Sequence, residues 1–343
     1  MANGIATLDD VAKLAGVSKS TVSRILGARQ GQRIPFSPKT QEKVRSAAGM
    51  LGYRPSKLAR GLTQSKTGIV GLVIPSVKDS FFPSLTIVIE TQLAEKGYNV
   101  ILANTNADSK IEQAKIDDLL SWRVDGLVVA PSQETGDAGL YWSLWQQKVP
   151  FVLIDRTFDQ TPFYSVTTDD YTGGTLATQH LLSLGRTRIA CAGGTLTVST
   201  NRNRYTAYVD SLIHHGLVPD PRLWFQVVST EESGKMVIHQ LMEMDPRPDA
   251  LFCLSDPVAI GALEECLRLG IRIPQDLALV GYADLPYSNL LKIPLTSVHQ
   301  PRELLGHTAA QMLIDQMEDH TPETVQLKLP VELMIRESTV PKS

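Results

Sequence analysis

Between residues 18 and 24 the chain reads Ser18-Lys19-Ser20-Thr21-Val22-Ser23-Arg24. On a helix, Lys19, Ser20, Ser23 and Arg24 share an outward face while Val22, Ile25 and Leu26 point inward. Those side chains can read a base-pair edge: an arginine donates two hydrogen bonds to guanine O6 and N7, and a lysine donates singly. Charges on a helix surface are most often merely solvated, so the flanking elements decide. Thr7 to Asp10 forms a capping box, followed by Val11, Leu14 and Ala15 on one apolar face. Gly16-Val17 breaks that helix, and Ser18 caps the next. Helix, tight turn, helix is the spacing that lets the second helix enter a major groove while the first crosses the backbone. Gly27 ends the second helix and residues 28–36 form a polar, basic loop. Ser37-Pro38 then opens a third helix, with Val44, Ala47, Ala48 and Leu51 as its stripe and Gly52 as its stop.

The charge supports that assignment. Of 343 residues, 33 are basic and 36 acidic, but residues 1–66 hold twelve Lys or Arg against three Asp or Glu, a net of +9, leaving −12 for the rest. A basic head on an acidic body is the outline of a nucleic-acid-binding module joined to something else. The composition, 43% hydrophobic and 20% charged, excludes collagen, coiled coil and wholesale disorder. Cys191, Cys253 and Cys266 lie far apart without metal or disulfide spacing, so buried thiols in a reducing cytoplasm are expected. Asp9, Asp10 and Lys13 interrupt any apolar stretch near the N-terminus, and no window approaches the roughly 20 apolar residues of a membrane span, so a cytosolic protein is expected. No GxGxxG or GxxxxGK[ST] occurs, no histidines cluster, and His299 has no nucleophile in an obvious motif. An enzyme is therefore not expected, nor a metal or cofactor.

From residue 68 the pattern changes. Apolar runs at 69–74, 98–103, 125–130, 150–155, 188–192, 250–254 and 277–282 alternate with amphipathic helical stretches near 81–96, 109–122, 171–184, 202–215, 231–244 and 256–269. Such alternation gives parallel sheets covered on both faces. There are too many units for one small sheet. Two doubly wound lobes are expected, binding ligands at the carboxyl ends of their strands.

Two stretches, TLDDVAKLAGVSKSTVSRIL at 7–26 and SPKTQEKVRSAAGMLGYRPSKLARGL at 37–62, resemble the lactose-repressor/galactose-repressor family of bacterial transcription regulators. The body adds DGLVVAP at 125–131, VLIDR at 152–156, SVTTDDYTGG at 165–174, IPQDLALVGY at 273–282 and PLTSVHQP at 294–301, in the family's order. The resemblance implies a small all-α helix-turn-helix head (1–55), a hinge helix and linker (56–66) and an α/β, two-lobed, doubly wound parallel-sheet effector domain like periplasmic binding proteins (67–343). Lobe one is expected over about 67–165 and 296–325, lobe two over about 166–295 and 326–340. The implied function is a ligand-responsive repressor of carbohydrate uptake or catabolism genes, bound to a palindromic operator as a homodimer. Alternatives are a regulator of nucleoside or purine genes, or a global regulator using a protein partner. A sugar-transport binding protein would fit the lobes but not the basic head. The absence of a heptad tail before Ser343 favours a dimer over a tetramer.

By the resemblance, Lys19, Ser20 and Arg24 read bases, while Leu8, Ser18, Thr21, Ser23, Thr40 and Tyr53 contact phosphates or backbone. Leu62 would wedge into the minor groove from the hinge helix at 56–62, and Leu58 would join it on an apolar face that pairs with a partner hinge. Apolar wedges unstack a base step and bend the duplex. The loop before the third helix is about four residues longer than the family's and carries Arg29 and Arg33, a cheap insertion. Gly61 weakens the hinge helix by about 1 kcal/mol.

For the effector, the matching positions are Phe81, Phe82, Arg156, Asp169, Arg204, Ser255, Asp256 and Gln300. An aromatic face with Arg, Asp and Gln around it suits a polyol. The plainer roles are core for the phenylalanines, helix caps for Asp169 and Asp256, and a surface arginine for Arg204. Where the family commonly has an acid after the Gly-aromatic pair, this chain has Ala283, then Asp284. With Arg156 and Arg204 left as cations, an acidic or phosphorylated sugar is one expectation. The other is that Asp284 swings into the vacant role and the ligand is neutral.

Overall fold

Thr7 starts the first helix as its sequence dictates: its hydroxyl accepts from the Asp10 amide at 3.4 Å, and its own amide donates to Asp10 Oδ2 at 2.9 Å. The computed structural model describes residues 6–27, 35–54, 66–78, 80–133, 135–322 and 325–340. The chain divides into two units, Met1–Gly68 and Ile69–Ser343. The described part of the first holds α1 (Leu8–Ala15), α2 (Lys19–Gly27) and α3 (Pro38–Met50). Gly16 turns the chain between α1 and α2 with φ +67°, a conformation that costs a side-chain-bearing residue energy. The head's core is Val11, Ala12, Ala15, Val22, Ile25, Val44, Ala47 and Ala48. Two expected core positions fail. Leu14 is 54% exposed, because Ala12 rather than Leu14 completes the inward face of α1, and Leu51 lies past the end of α3 and is exposed. Arg29, Arg33, Leu58, Gly61 and Leu62 lie outside the described residues.

The second unit opens with β1 (Ile69–Ile74), α4 (Phe81–Glu95), β2 (Asn99–Asn104), α5 (Ser109–Ser121), β3 (Gly126–Val129), α6 (Gly139–Gln146), β4 (Phe151–Ile154) and β5 (Ser165–Thr168). It continues with α7 (Asp170–Ser183), β6 (Ile189–Gly193), α8 (Ser199–His214), β7 (Trp224–Gln226), α9 (Glu231–Glu243), β8 (Ala250–Cys253), α10 (Asp256–Leu269), β9 (Ala278–Ala283) and β10 (Thr296–His299). Last come α11 (Arg302–Met317), β11 (Gln326–Leu329) and β12 (Glu332–Met334). Two six-stranded sheets result, ordered β11-β5-β4-β3-β1-β2 and β12-β10-β9-β8-β6-β7. Every pairing is parallel except β12 against β10. Central strands are wholly buried, as expected of sheets covered by helices on both faces. Cys191, Cys253 and Cys266 are buried and free, and burial pushes all three thiols up in pKa.

The crossovers between lobes correct the expected boundaries. β5 stays in lobe one, and β11 joins it there, Gln326 opposite Ser165. β10 belongs to lobe two, Thr296 opposite Val280. The chain thus changes lobe after β5, after β10 and between β11 and β12. Strand pairing, not position along the chain, sets these limits. α11 returns to lobe one, where Leu305, Ala309 and Leu313 enter the same core as Val70, Leu72 and Ile154.

Candidate nucleic-acid interface and effector cleft

On α2, Val22 and Ile25 are buried, whereas Ser18, Lys19, Ser20, Ser23 and Arg24 are exposed. Ser18 Oγ caps the helix, accepting from the Thr21 amide at 3.2 Å, and lies 2.8 Å from Ser20 Oγ and 2.9 Å from Thr21 Oγ1. Lys19 Nζ sits 2.5 Å from Asp9 Oδ2 in an exposed pair. Such pairs contribute little, so the lysine is readily redirected to another acceptor. Leu8, Thr21, Thr40 and Tyr53 are half-buried. The result is a rigid helix presenting two cations and three hydroxyls to solvent, enough to meet base edges and phosphates.

The second site is a cleft of about 810 Å³ at the carboxyl ends of both sheets. Lobe one contributes Phe81 and Phe82 from the start of α4, rings edge to face at 5.1 Å. Arg156, just past β4, donates from Nη1 to the Pro131 carbonyl at 3.0 Å and holds its guanidinium 5.8 Å from the Phe82 ring centre. Ser132 is fixed by buried Glu112, which accepts from its amide at 2.7 Å and its hydroxyl at 2.8 Å. Lobe two contributes Arg204 from α8. Its Nε donates to Asp170 Oδ1 at 2.8 Å, its Nη1 to the Leu254 carbonyl at 2.8 Å, and its Cζ lies over the Tyr282 ring, 3.6 Å from the ring centre. Gln300 reaches back to Thr168 Oγ1 at 2.9 Å, linking the strand ends of both lobes. Burial pushes the Asp155 carboxyl up in pKa against the pull of Arg156, and burial lifts Asp170 to about 6 against the pull of Arg204.

Of the expected effector residues, Phe81, Phe82, Arg156, Arg204, Ser255 and Gln300 line one cleft. Three acids do not. Asp169 is the N-cap of α7, accepting from the Thr172 amide at 3.2 Å and hydroxyl at 2.8 Å. Its neighbour Asp170 is the one turned toward Arg204. Asp256 is fully buried as the first residue of α10, with Ser255 as cap. It accepts from the Leu285 amide at 2.8 Å and from Ser288 and Ser297 hydroxyls at 2.8 and 2.6 Å, so it fastens α10 to the β9–β10 edge. Asp284 faces away from the cleft, held by Arg336 Nη1 at 2.7 Å and His299 Nδ1 at 3.0 Å. It does not fill the place left by Ala283, which lines the cleft itself. Nor is Arg204 an unpaired cation: Asp170 lies 2.7 Å from it, and Asp155 lies 3.5 Å from Arg156, which weakens the reason to expect an acidic ligand. Sequence reasoning missed Asp155 and Asp170. Asp155 stands at the end of a predicted strand, beside Arg156 in VLIDR, where the rule of strand carboxyl ends would have found it.

Residues 7–56 match the family described as bacterial regulatory proteins, lacI family. Residues 67–337 match periplasmic binding proteins and sugar binding domain of LacI family. The ribose operon repressor of Halalkalibacterium halodurans is 33% identical over 336 residues, 97% of each chain. The HTH-type transcriptional repressor PurR of Haemophilus influenzae (strain PittEE) is 32% identical over 340 residues, 97% of this chain and 98% of the relative. Among solved structures, the Lac repressor dimer bound to operator and the anti-inducer ONPF is similar with TM-score 0.84 and 27% identity, covering 98% of this chain and 99% of that one.

Proposed function

Because the chain belongs to the lacI family of bacterial regulatory proteins, we infer its activity from that family's two-part plan and from the two sites above. It is a ligand-responsive transcriptional regulator, not an enzyme: a repressor that binds operator DNA as a homodimer and answers to a small effector held between its lobes. One observation carries this: a single chain presents both an exposed base-reading helix and an inter-lobe cleft whose polar groups converge on an aromatic floor. Effector and operator binding are linked because the effector favours one arrangement of the lobes, and the linkage is reciprocal.

The effector class is our proposal. The relatives include a repressor of a ribose operon and one named PurR. A planar purine gains most from flat aromatic faces stacked upon it. Here Phe81 and Phe82 both belong to lobe one, and Tyr282, the aromatic of lobe two in the cleft, is covered by Arg204. The facing wall mixes hydroxyls and amides, among them Thr195, Asn201, Gln226 and Ser255, with apolar Val198, Val228, Met236 and Leu254. A neutral carbohydrate fits that distribution, which points to genes of carbohydrate uptake or catabolism. No described helix is long and apolar enough to cross a membrane. A repressor works where its operator lies, in the bacterial cytoplasm, and we place it on the nucleoid when bound.

Arg24→Ala tests the DNA assignment. Gel-shift titration against operator variants is expected to show a loss of about 1–3 kcal/mol and relaxed preference at one base pair per half-site. Equal weakening on every sequence would make Arg24 a phosphate contact.

A further inference from the structure

The cleft extends beyond the length of one sugar ring. In lobe two its lining follows five neighbouring strands: Gln300 after β10, Ala283 on β9, Ser255 after β8, Thr195 after β6 and Gln226 on β7. Neighbouring strands lie about 4.8 Å apart, so these four intervals span about 19 Å. In lobe one the lining follows four strands, from Arg156 after β4 through Ser132 and Ser76 to Asn106 after β2. Those three intervals span about 14 Å. A six-membered ring built from bonds of about 1.5 Å reaches about 7 Å with its hydroxyls. One ring therefore covers about half of the shorter wall.

The two ends differ in chemistry. The inner end, near the crossovers, holds Phe82 and the buried ion pair of Arg204 with Asp170. The outer end, over β6, β7 and the start of α9, carries the neutral polar groups of Thr195, Asn201, Gln226 and Ser229, with Glu231 as the charged residue beside them. Two apolar side chains stand among them, Val228 at 73% exposure and Met236 at 50%. Neutral donors and acceptors around exposed apolar surface suit the mixed faces of a second ring. The charges also balance. Lys78, Arg156 and Arg204 line the cleft with Asp155 and Glu231, and Asp170 under Arg204 supplies the third carboxylate.

We propose that the effector is a linear, neutral oligosaccharide of at least two rings, the first on Phe82 beside Arg204 and Gln300, the second on the outer platform of Asn201, Gln226, Val228 and Met236. This rests on the carbohydrate reading of the same cleft. It is tested by passing partial acid hydrolysates of cellulose, xylan and starch over immobilised full-length protein and sizing the retained glycans by mass spectrometry. Operator binding of the same preparation, read by gel shift, shows that it is active. Retained glycans of two or more units are expected. Calorimetry with the retained glycan should then show Gln226→Ala and Met236→Asp weakening its binding by about tenfold or more, the equivalent of about 1.4 kcal/mol. Melting temperature without ligand identifies any variant that is merely misfolded. Retention of single sugars alone, or wild-type affinity in both folded variants, would overturn the proposal while leaving a carbohydrate effector standing. No retained glycan from protein that still shifts operator would overturn the carbohydrate reading itself.

Discussion

Arg204 holds two buried carboxylates in check, Asp170 by direct hydrogen bonds and Asp155 through its field. Burial raises Asp170 from 3.8 to about 6 even with the guanidinium in place. A carboxyl whose folded pKa is raised favours folding most below its unfolded value and loses that contribution as pH climbs through the folded one. Without the cation both acids need protons to stay buried, so the window of loss moves above pH 6. Arg204→Met is therefore expected to cost about 3–5 kcal/mol at pH 8 and much less at pH 5. Urea denaturation without effector at the two pH values measures this. An equal cost at both would show that Arg204 does not hold these acids ionised. The sequence made Arg204 and Phe82 readable because they follow strand ends in family order. It pointed to Asp169, where the structure turns Asp170 toward Arg204. Adjacent residues at a helix start point about 100° apart, so one caps the helix while the other faces the arginine. Asp256 and Asp284 failed for a similar reason: partners supplied by Ser288, Ser297 and Arg336 decide where they point, and those residues lie up to 52 positions away (336 − 284).

At the scale of elements, α9 and α10 approach so closely that glycine is required on both. A Cβ on Gly261 would stand 1.8 Å from the Glu231 carbonyl oxygen, and one on Gly234 would stand 2.1 Å from that of Val258. Backbone cannot yield as a flexible side chain does, so Gly261→Ala is expected to destabilise lobe two by about 3 kcal/mol or more. Gly49→Ala, on α3 where a Cβ meets nothing within 4 Å, is expected to stabilise the head by about 0.5–1 kcal/mol. Thermal unfolding of the two variants checks both signs; a stabilised Gly261→Ala would mean that the helices separate freely. Capping residues, Gly16 and the long apolar runs made α1, α2, α3 and the central strands readable. The three- and four-residue strands β5, β7, β10, β11 and β12 escaped. Gln326–Leu329 carries two polar side chains in four, too short a pattern to register, and its pairing with β5 depends on chain 160 residues distant. α6 (GLYWSLWQ) was missed as well, because aromatics crowd it and it has no side-chain cap.

The molecule as a whole divides its charge, +9 over residues 1–66 against −12 over the rest. Association with a polyanion through the head releases counterions, while the paired charges of the cleft release few. If two heads neutralise roughly 6–10 phosphates, operator affinity is expected to fall by about 10³–10⁵ between 50 and 200 mM salt. Effector affinity measured over the same range should barely move. A shallow operator slope would show that the basic head is not what meets the DNA. The crossovers carry a further consequence, for the order in which the protein can be made. The described helices of the head, α1 to α3, all lie before Gly68 and are made before any of the body. Neither lobe is complete then, nor for long afterwards: lobe one waits for α11 and β11, and lobe two for β12. Synthesis at about 5–20 residues per second takes roughly 13–53 s to deliver the 266 residues (334 − 68) from Gly68 to the end of β12. During that interval a basic, folded head is tethered to a body that can neither close its sheets nor hold an effector, and the regulator becomes responsive only when its last two strands arrive.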